Sequence, residues 1–328
     1  MSEADKSKTI PRRTTENGTP AKRLVVIDGN ALIHRAFHAI PNLTTSAGIP
    51  TNAVYGFASM LINILEVLHP EYIVVTYDLK GRTFRDDLYT EYKATRTKAP
   101  QELYDQIPKI KELVTAFKIP QFAVEGFEAD DVIATIAHLM EKHPDTETYI
   151  ATGDRDTLQL VTPHVKVITP HKGFKEYLIY DEWKVQEEFG VTPVQFRDYK
   201  ALRGDTSDNI PGAKGIGEKT AAQLLHEFGT IENIYAHLDE VKGATRTKMD
   251  ESRDLVKMSI ELVTLKKDIP IDFDLEACAA HDFDERAITR LFEQLEFRSL
   301  LKKLTQLESH YDHERKNEIN SALPLLFD

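Results

Sequence analysis

Three short apolar runs, each leading into a carboxylate, constrain this chain most. Leu24-Val25-Val26-Ile27 ends at Asp28, Tyr72-Ile73-Val74-Val75-Thr76-Tyr77 at Asp78, and Thr148-Tyr149-Ile150-Ala151-Thr152 runs through Gly153 to Asp154 and Asp156. A short, near-continuous β-branched and aromatic run is a strand covered on both faces. Amphipathic helices are expected between the runs, at 31–37, 52–68, 101–118 and 128–142, with further strands at 121–124, 165–168 and 177–179. That alternation predicts an α/β body with a parallel, doubly wound sheet over the first 180 residues. From Asp181 the pattern is helical, at 182–189, 193–203, 218–228, 231–238, 245–265 and 284–295. Residues 1–22 are polar and aperiodic and are expected to be a disordered lead, and 306–328 a tail.

In an open parallel sheet, ligands bind beyond the carboxyl ends of the strands. Asp28, Asp78, Asp154 and Asp156 should therefore gather at one edge. Glu128, Asp130 and Asp131 open a helix that faces the same edge, and Asp205 and Asp208 lie in a Gly-Pro-bounded turn. Any one of them fits a turn or a helix cap. Nine together cannot all ionise in one cleft without counter-charge. Hard divalent cations held by oxygen resolve this, and two ions roughly 4 Å apart would clamp an in-line phosphoryl displacement. No Cys or His cluster has zinc spacing.

Composition bounds the rest. A chain of 328 residues, 41% hydrophobic, can bury a large core in one or two domains. The single cysteine, Cys278, excludes an internal disulfide and fits a reducing, cytoplasmic compartment. The apolar stretch 53–68 is interrupted by Asn63 and Glu66 and is too short for a membrane. The net charge of -12 argues against nucleic acid unless cations engage the acids. Against that background, residues 79–100 carry six basic side chains and three acidic ones, interleaved with Phe84, Tyr89 and Tyr92. Such a segment suits single-stranded nucleic acid, though it also fits a solvated loop. Gly215-x-Gly217 opens a helix with bare backbone N–H groups, between two helices rather than after a strand. It is no P-loop, because Glu218 separates Gly217 from Lys219. It suits a sequence-neutral grip on a DNA backbone, with Lys214 and Lys219 adding phosphate contacts.

The ordered motifs carry a resemblance. They are Val26-Ile27-Asp28-Gly29-Asn30 through Arg35, Asp78 with Phe84-Arg85, Glu91-Tyr92-Lys93-Ala94-Thr95-Arg96, Glu128-Ala129-Asp130-Asp131, Asp154-Arg155-Asp156, and Gly204-Asp205 through Asp208 to Thr220. Over about residues 23–300 the chain resembles the 5′-nuclease domain of bacterial DNA polymerase I, in the flap endonuclease superfamily. The resemblance implies a PIN-like parallel-sheet nuclease core over 23–180, with a helical arch at about 79–105. An α-helical helix–two-turn–helix DNA-binding subdomain over 181–305 would follow. It implies 5′-3′ exonuclease and flap endonuclease hydrolysis of DNA, in primer removal and repair. Mg²⁺ or Mn²⁺ would be held by Asp28, Asp78, Glu128, Asp130 and Asp131 at one position and by Asp154, Asp156, Asp205 and Asp208 at another. Lys93, Arg96 and Arg35 would be catalytic, Lys93 and Arg96 contacting the scissile phosphate region and Arg35 the substrate near a base pair. Arg85, Tyr92, Lys214, Gly215, Gly217, Lys219 and Thr220 would contact DNA, with Tyr92 stacking on a base and a K⁺ ion on carbonyls near Gly215 and Gly217. The implied partners are 5′-flap, nicked or 5′-ended duplex DNA and a DNA polymerase, in trans or as a C-terminal domain. The protein would be a monomer in the bacterial cytoplasm, near the nucleoid. A non-catalytic DNA-binding module and a PIN-type ribonuclease stay open as alternatives. The full acid set speaks against the first and the helical clamp against the second.

Overall fold

Six strands form one sheet in the order β3-β2-β1-β4-β5-β6. They are β1 (Lys22–Asp28), β2 (Tyr72–Thr76), β3 (Gln121–Phe122), β4 (Thr146–Ala151), β5 (Val165–His171) and β6 (Glu176–Tyr180). Every pairing is parallel except β5 with β6, where the chain turns back to add an antiparallel edge. This computed structural model describes residues 10–171, 176–280 and 283–307. The helices are α1 (Gly29–Ala39), α2 (Asn52–Leu68), α3 (Phe84–Leu88), α4 (Gln101–Ala116), α5 (Ala129–Leu139), α6 (Glu182–Phe189), α7 (Pro193–Arg203), α8 (Glu218–Phe228), α9 (Ile231–Ala236), α10 (Gly243–Glu251), α11 (Arg253–Val263) and α12 (Glu285–Gln294).

The unbroken apolar strands follow from the two covered faces. Side chains alternate along β1, so Val25 and Ile27 pack with α1, α2, α4 and α12. Leu24 and Val26 pack on the other face with α5 and with residues of α7 to α11. The helical region is therefore continuous with one face of the sheet. Residues 283–307, expected in the helical subdomain, return to the opposite face, where Phe292, Leu300 and Leu304 are buried. No helix among the described residues is long and apolar enough to cross a membrane.

Four expectations change. Residues 10–21 are not a structureless lead: Arg12 pairs with Glu71, and the buried Arg23 guanidinium donates to the carbonyls of Ile10, Pro11 and Leu68. Positions 1–9, and 308–328 of the expected tail, lie outside the described residues. The helix expected at 245–265 breaks at Ser252, whose side chain accepts the Lys214 N–H at 3.0 Å. The arch region holds only the five-residue α3 and a series of turns before α4.

The fourth concerns Arg85 and Asp131. Arg85 is 1% exposed, in α3, and does not face a DNA surface. Its guanidinium makes a bidentate pair with Asp131 at 2.7 and 2.9 Å and also donates to the carbonyls of Leu262 and Thr264. Asp131, fully buried, takes two further bonds, from the Glu128 and Lys266 amides. Its oxygens are thus committed to the protein and turned away from any metal. The planar fork of Arg is suited to such a pair, and every donor finding an acceptor is what makes burial tolerable. The pair joins α3, α5 and the end of α11. Removing one partner strands a buried charge, so Arg85→Met should lower stability by about 3–5 kcal/mol in chemical denaturation. A loss under about 1 kcal/mol, the size of a surface pair, would contradict this role.

Candidate metal and nucleic-acid site

The strand ends converge as the topology requires. Asp28 closes β1 and caps α1, accepting the Ala31 N–H at 2.9 Å. Its other oxygen accepts the Thr152 hydroxyl at 2.7 Å, and Thr152 Oγ1 in turn accepts the Asp154 N–H. Asp78, beyond β2, accepts the Ala129 N–H at 2.7 Å and so ties that strand end to the start of α5. An open cleft of about 350 Å³ lies among them, lined by Asp28, Asp78, Glu128, Asp130 and Asp154, with Lys93 and Arg96 on its wall. The grouping differs from that expected: Asp154 joins the first set and Asp131 leaves it.

Asp205 and Asp208 arrive from the turn after α7. Gly204 (φ 74) and Gly212 (φ 62) meet backbone to backbone there. A Cβ on Gly212 would stand 2.3 Å from the Gly204 nitrogen, so only glycine fits. The loop is pinched shut at its base, and both carboxylates are presented at the sheet edge. Asp205 Oδ1 accepts the Ser207 N–H and hydroxyl at 2.8 and 2.7 Å.

Basic side chains interleave with the acids. Lys93 Nζ pairs with Glu128 at 2.6 Å, Arg96 pairs with Asp208, and Lys200 pairs with both Asp156 and Asp205. Lys93 has φ 54, a left-handed backbone that functional segments tolerate. Its N–H donates to the Asp208 carbonyl, and the Asn209 side chain donates to the Glu91 carbonyl. The segment expected to arch over the site is thus docked on the 205–210 turn. Tyr92, expected to stack on a base, is buried, with its hydroxyl donating to Glu128 and Asp208. Arg35 also turns away, donating to the Pro170 carbonyl at the end of β5.

The electrostatics show how crowded the edge is. Burial, then the charges of Asp154 and Asp78, raises the Asp28 carboxyl to about 7. Burial and Asp154 bring Asp156 to about 7 as well, although Lys200 opposes this. Asp130 is pushed up by burial and by Asp154, Asp28 and Asp156. Asp205 goes the other way: burial would raise it, but Lys200 and Ser207 outweigh that. The donors are hard oxygens, and several of the carboxyls are pushed up by burial and by their neighbours' negative charge, which fits a divalent cation. Among the described residues no three of them meet at metal-ligand spacing.

The glycine turn is built differently from the expectation of wholly bare amides. The Gly212 and Lys214 N–H groups donate to Ser259 and Ser252. Ala213 and Ile216 are buried and anchor the turn, while Lys214, Gly215, Gly217 and Lys219 are exposed and Thr220 half-buried. α8 begins without a side-chain cap, so its first-turn amides still suit a phosphate. A K⁺ ion fits poorly, because the Gly215 carbonyl already accepts the Lys248 ammonium at 3.0 Å. Lys200, Lys248 and the two serines are site residues the sequence reading missed.

Comparison with known proteins agrees with this architecture. Residues 23–190 match the 5′-3′ exonuclease N-terminal resolvase-like domain, and 191–286 the 5′-3′ exonuclease C-terminal SAM fold. DNA polymerase I of Caldicellulosiruptor bescii is 43% identical over 284 residues, covering 86% of this chain and 33% of the relative. DNA polymerase I of Bacillus caldotenax is 42% identical over 305 residues, 93% of this chain and 34% of the relative. The chain spans about a third of the length of these curated relatives. Among solved structures, T5 5′-exonuclease with bound zinc shares the fold at TM-score 0.61 and 24% identity, covering 88% of this chain and all of that one (100%). The catalytic core of Rad2 in complex with DNA superposes at TM-score 0.55 and 18% identity, covering 88% of this chain and 92% of that one. The chain belongs to the 5′-3′ exonuclease family.

Proposed function

We propose that the protein hydrolyses DNA phosphodiester bonds at 5′ ends and 5′ flaps, using Mg²⁺ or Mn²⁺ held at the sheet edge. The observation that carries this is the cleft where Asp28, Asp78, Glu128, Asp130 and Asp154 converge, with Lys93 and Arg96 on its wall. A divalent cation bound there would supply an activated water and offset charge at the scissile phosphate. The protein's own groups do the rest. Thr152 and the Ala31 amide hold Asp28 in place, and the Ala129 amide holds Asp78. Lys93 and Arg96, 26% and 48% exposed, leave Glu128 and Asp208 to grip the phosphate that enters. The exposed Lys214–Lys219 turn and the uncapped start of α8 hold the duplex backbone at a distance from the cut. Contacts of that kind read phosphate rather than sequence, so salt weakens them steeply. Substrates would be flapped, nicked or 5′-ended duplexes. A DNA polymerase would act beside it, in trans or in the same polypeptide as in the relatives, in the bacterial cytoplasm at the nucleoid. The protein would work as a monomer.

A labelled 5′-flap duplex tests the activity. Cleavage should require Mg²⁺ or Mn²⁺, and Asp130→Asn and Lys93→Ala should each slow it by roughly 10²–10³-fold or more. Cutting with metal chelated, or wild-type rates in both variants, would refute the assignment.

A second outcome follows from the raised carboxyls. Asp28 and Asp156 pass from an ordinary 3.8 to about 7 on folding. Between those values the folded protein holds protons that the unfolded chain has released. Stability from these groups is therefore present at the acid end and lost as pH rises through about 7. A divalent cation should repair that loss. In thermal denaturation, millimolar Mg²⁺ should stabilise little near pH 5 and by on the order of 2–4 kcal/mol near pH 8. A metal effect independent of pH would contradict the electrostatics.

A further inference from the structure

Lys200 is a buried cation at the site that comes from neither the arch segment nor the glycine turn. It stands in α7 and is 6% exposed. Its Nζ lies 2.6 Å from Asp156 Oδ1 and touches Asp205 Oδ2 as well. Asp156 follows β4 and Asp205 follows α7, so one ammonium joins the sheet edge to the turn. The two oxygens it meets have no other donor among the described residues. Asp205 Oδ1 is taken by Ser207, which leaves Oδ2 for the cation. Asp156 Oδ1 is buried, with the Lys200 ammonium as its ion-pair partner. Two convergent carboxylate oxygens that share one ammonium are what a hard divalent cation can take in its place. Lys93 and Arg96 sit on an exposed turn and can swing away, whereas Lys200 is fixed to a helix and must give way by its side chain alone.

We propose that the Lys200 ammonium is a resident placeholder for the second divalent cation, holding Asp156 and Asp205 until the metal takes them. This rests on the metal-dependent reading above. Three consequences follow. The Asp156–Asp205 position fills after the Asp28–Asp130–Asp154 position. The turn keeps its place on the sheet edge before metal arrives. The displaced ammonium moves outward, where it adds positive charge beside the DNA path.

Limited acetylation of the unmodified full chain by acetic anhydride, read by peptide mass spectrometry during a Mn²⁺ titration, tests this. Bound Mn²⁺ is counted in the same samples by electron paramagnetic resonance. Lys200 labelling should rise several-fold as the second, weaker equivalent binds, while Lys214 and Lys219 stay constant as references. Two equivalents bound with Lys200 labelling unchanged or reduced would overturn the placeholder and leave the metal reading intact. No bound Mn²⁺ would overturn both. Lys200→Met, neutral and of similar length, should tighten the second equivalent by at least about tenfold. Equal or weaker second-site binding in a variant that melts like wild type would again overturn the proposal.

Discussion

The structure depends on repulsion between carboxylates gathered at the end of a parallel sheet. Two like charges about 4 Å apart, at an effective dielectric near 20, repel by about 4 kcal/mol. A cluster of such pairs would rival the whole stability of a domain. The fold brings the acids together regardless, because β1, β2 and β4 are parallel neighbours and each runs out at an acid. Everything else at that edge offsets the charge: backbone amides at the starts of α1 and α5, the Thr152 hydroxyl, and four basic side chains.

Those four are not equivalent. Arg85 is permanent, enclosed with Asp131 and bonded to two carbonyls, and it serves to assemble α3, α5 and α11. Lys93 and Arg96 are carried by a turn that is itself docked, the Lys93 N–H donating to the Asp208 carbonyl and the Asn209 side chain to the Glu91 carbonyl. Both basic side chains are partly exposed, at 26% and 48%. Lys200 lies between these extremes, buried but held only by the acids a metal would use. This gradation of counter-charge couples the helical turn to the sheet edge, since Asp208 takes Arg96 from the segment after α3 and Asp205 shares Lys200 with Asp156.

Much of this was legible in the residues. Buried strands ending in acids were enough to predict the parallel sheet and the edge where Asp28, Asp78 and Asp154 meet. Sequence patterns report a local period, and the misses are where tertiary contacts override it. Arg85 and Tyr92 stand in a basic, aromatic segment that looks like a solvated or DNA-facing loop, and nothing local announces that Asp131 and Glu128 will draw them inward. Ser252 sits in an amphipathic run of helical period, yet the run divides there into α10 and α11, and the Ser252 hydroxyl accepts the Lys214 amide from across the structure. Lys200, within Asp198-Tyr199-Lys200-Ala201, looks like any exposed lysine until α7 is laid against the segment after β4. Residues 10–13 look disordered because the carbonyls they offer have value only beside Arg23.

The central claim is that the strand-end acids form a divalent-metal site. Anomalous diffraction from crystals soaked in Mn²⁺ tests it most directly. The account predicts one peak in the cleft within coordinating distance of Asp28, Asp130 and Asp154, and a second between Asp156 and Asp205 with Lys200 turned aside. Saturating Mn²⁺ with no peak at either position, and all the acid–base pairs intact, would contradict it.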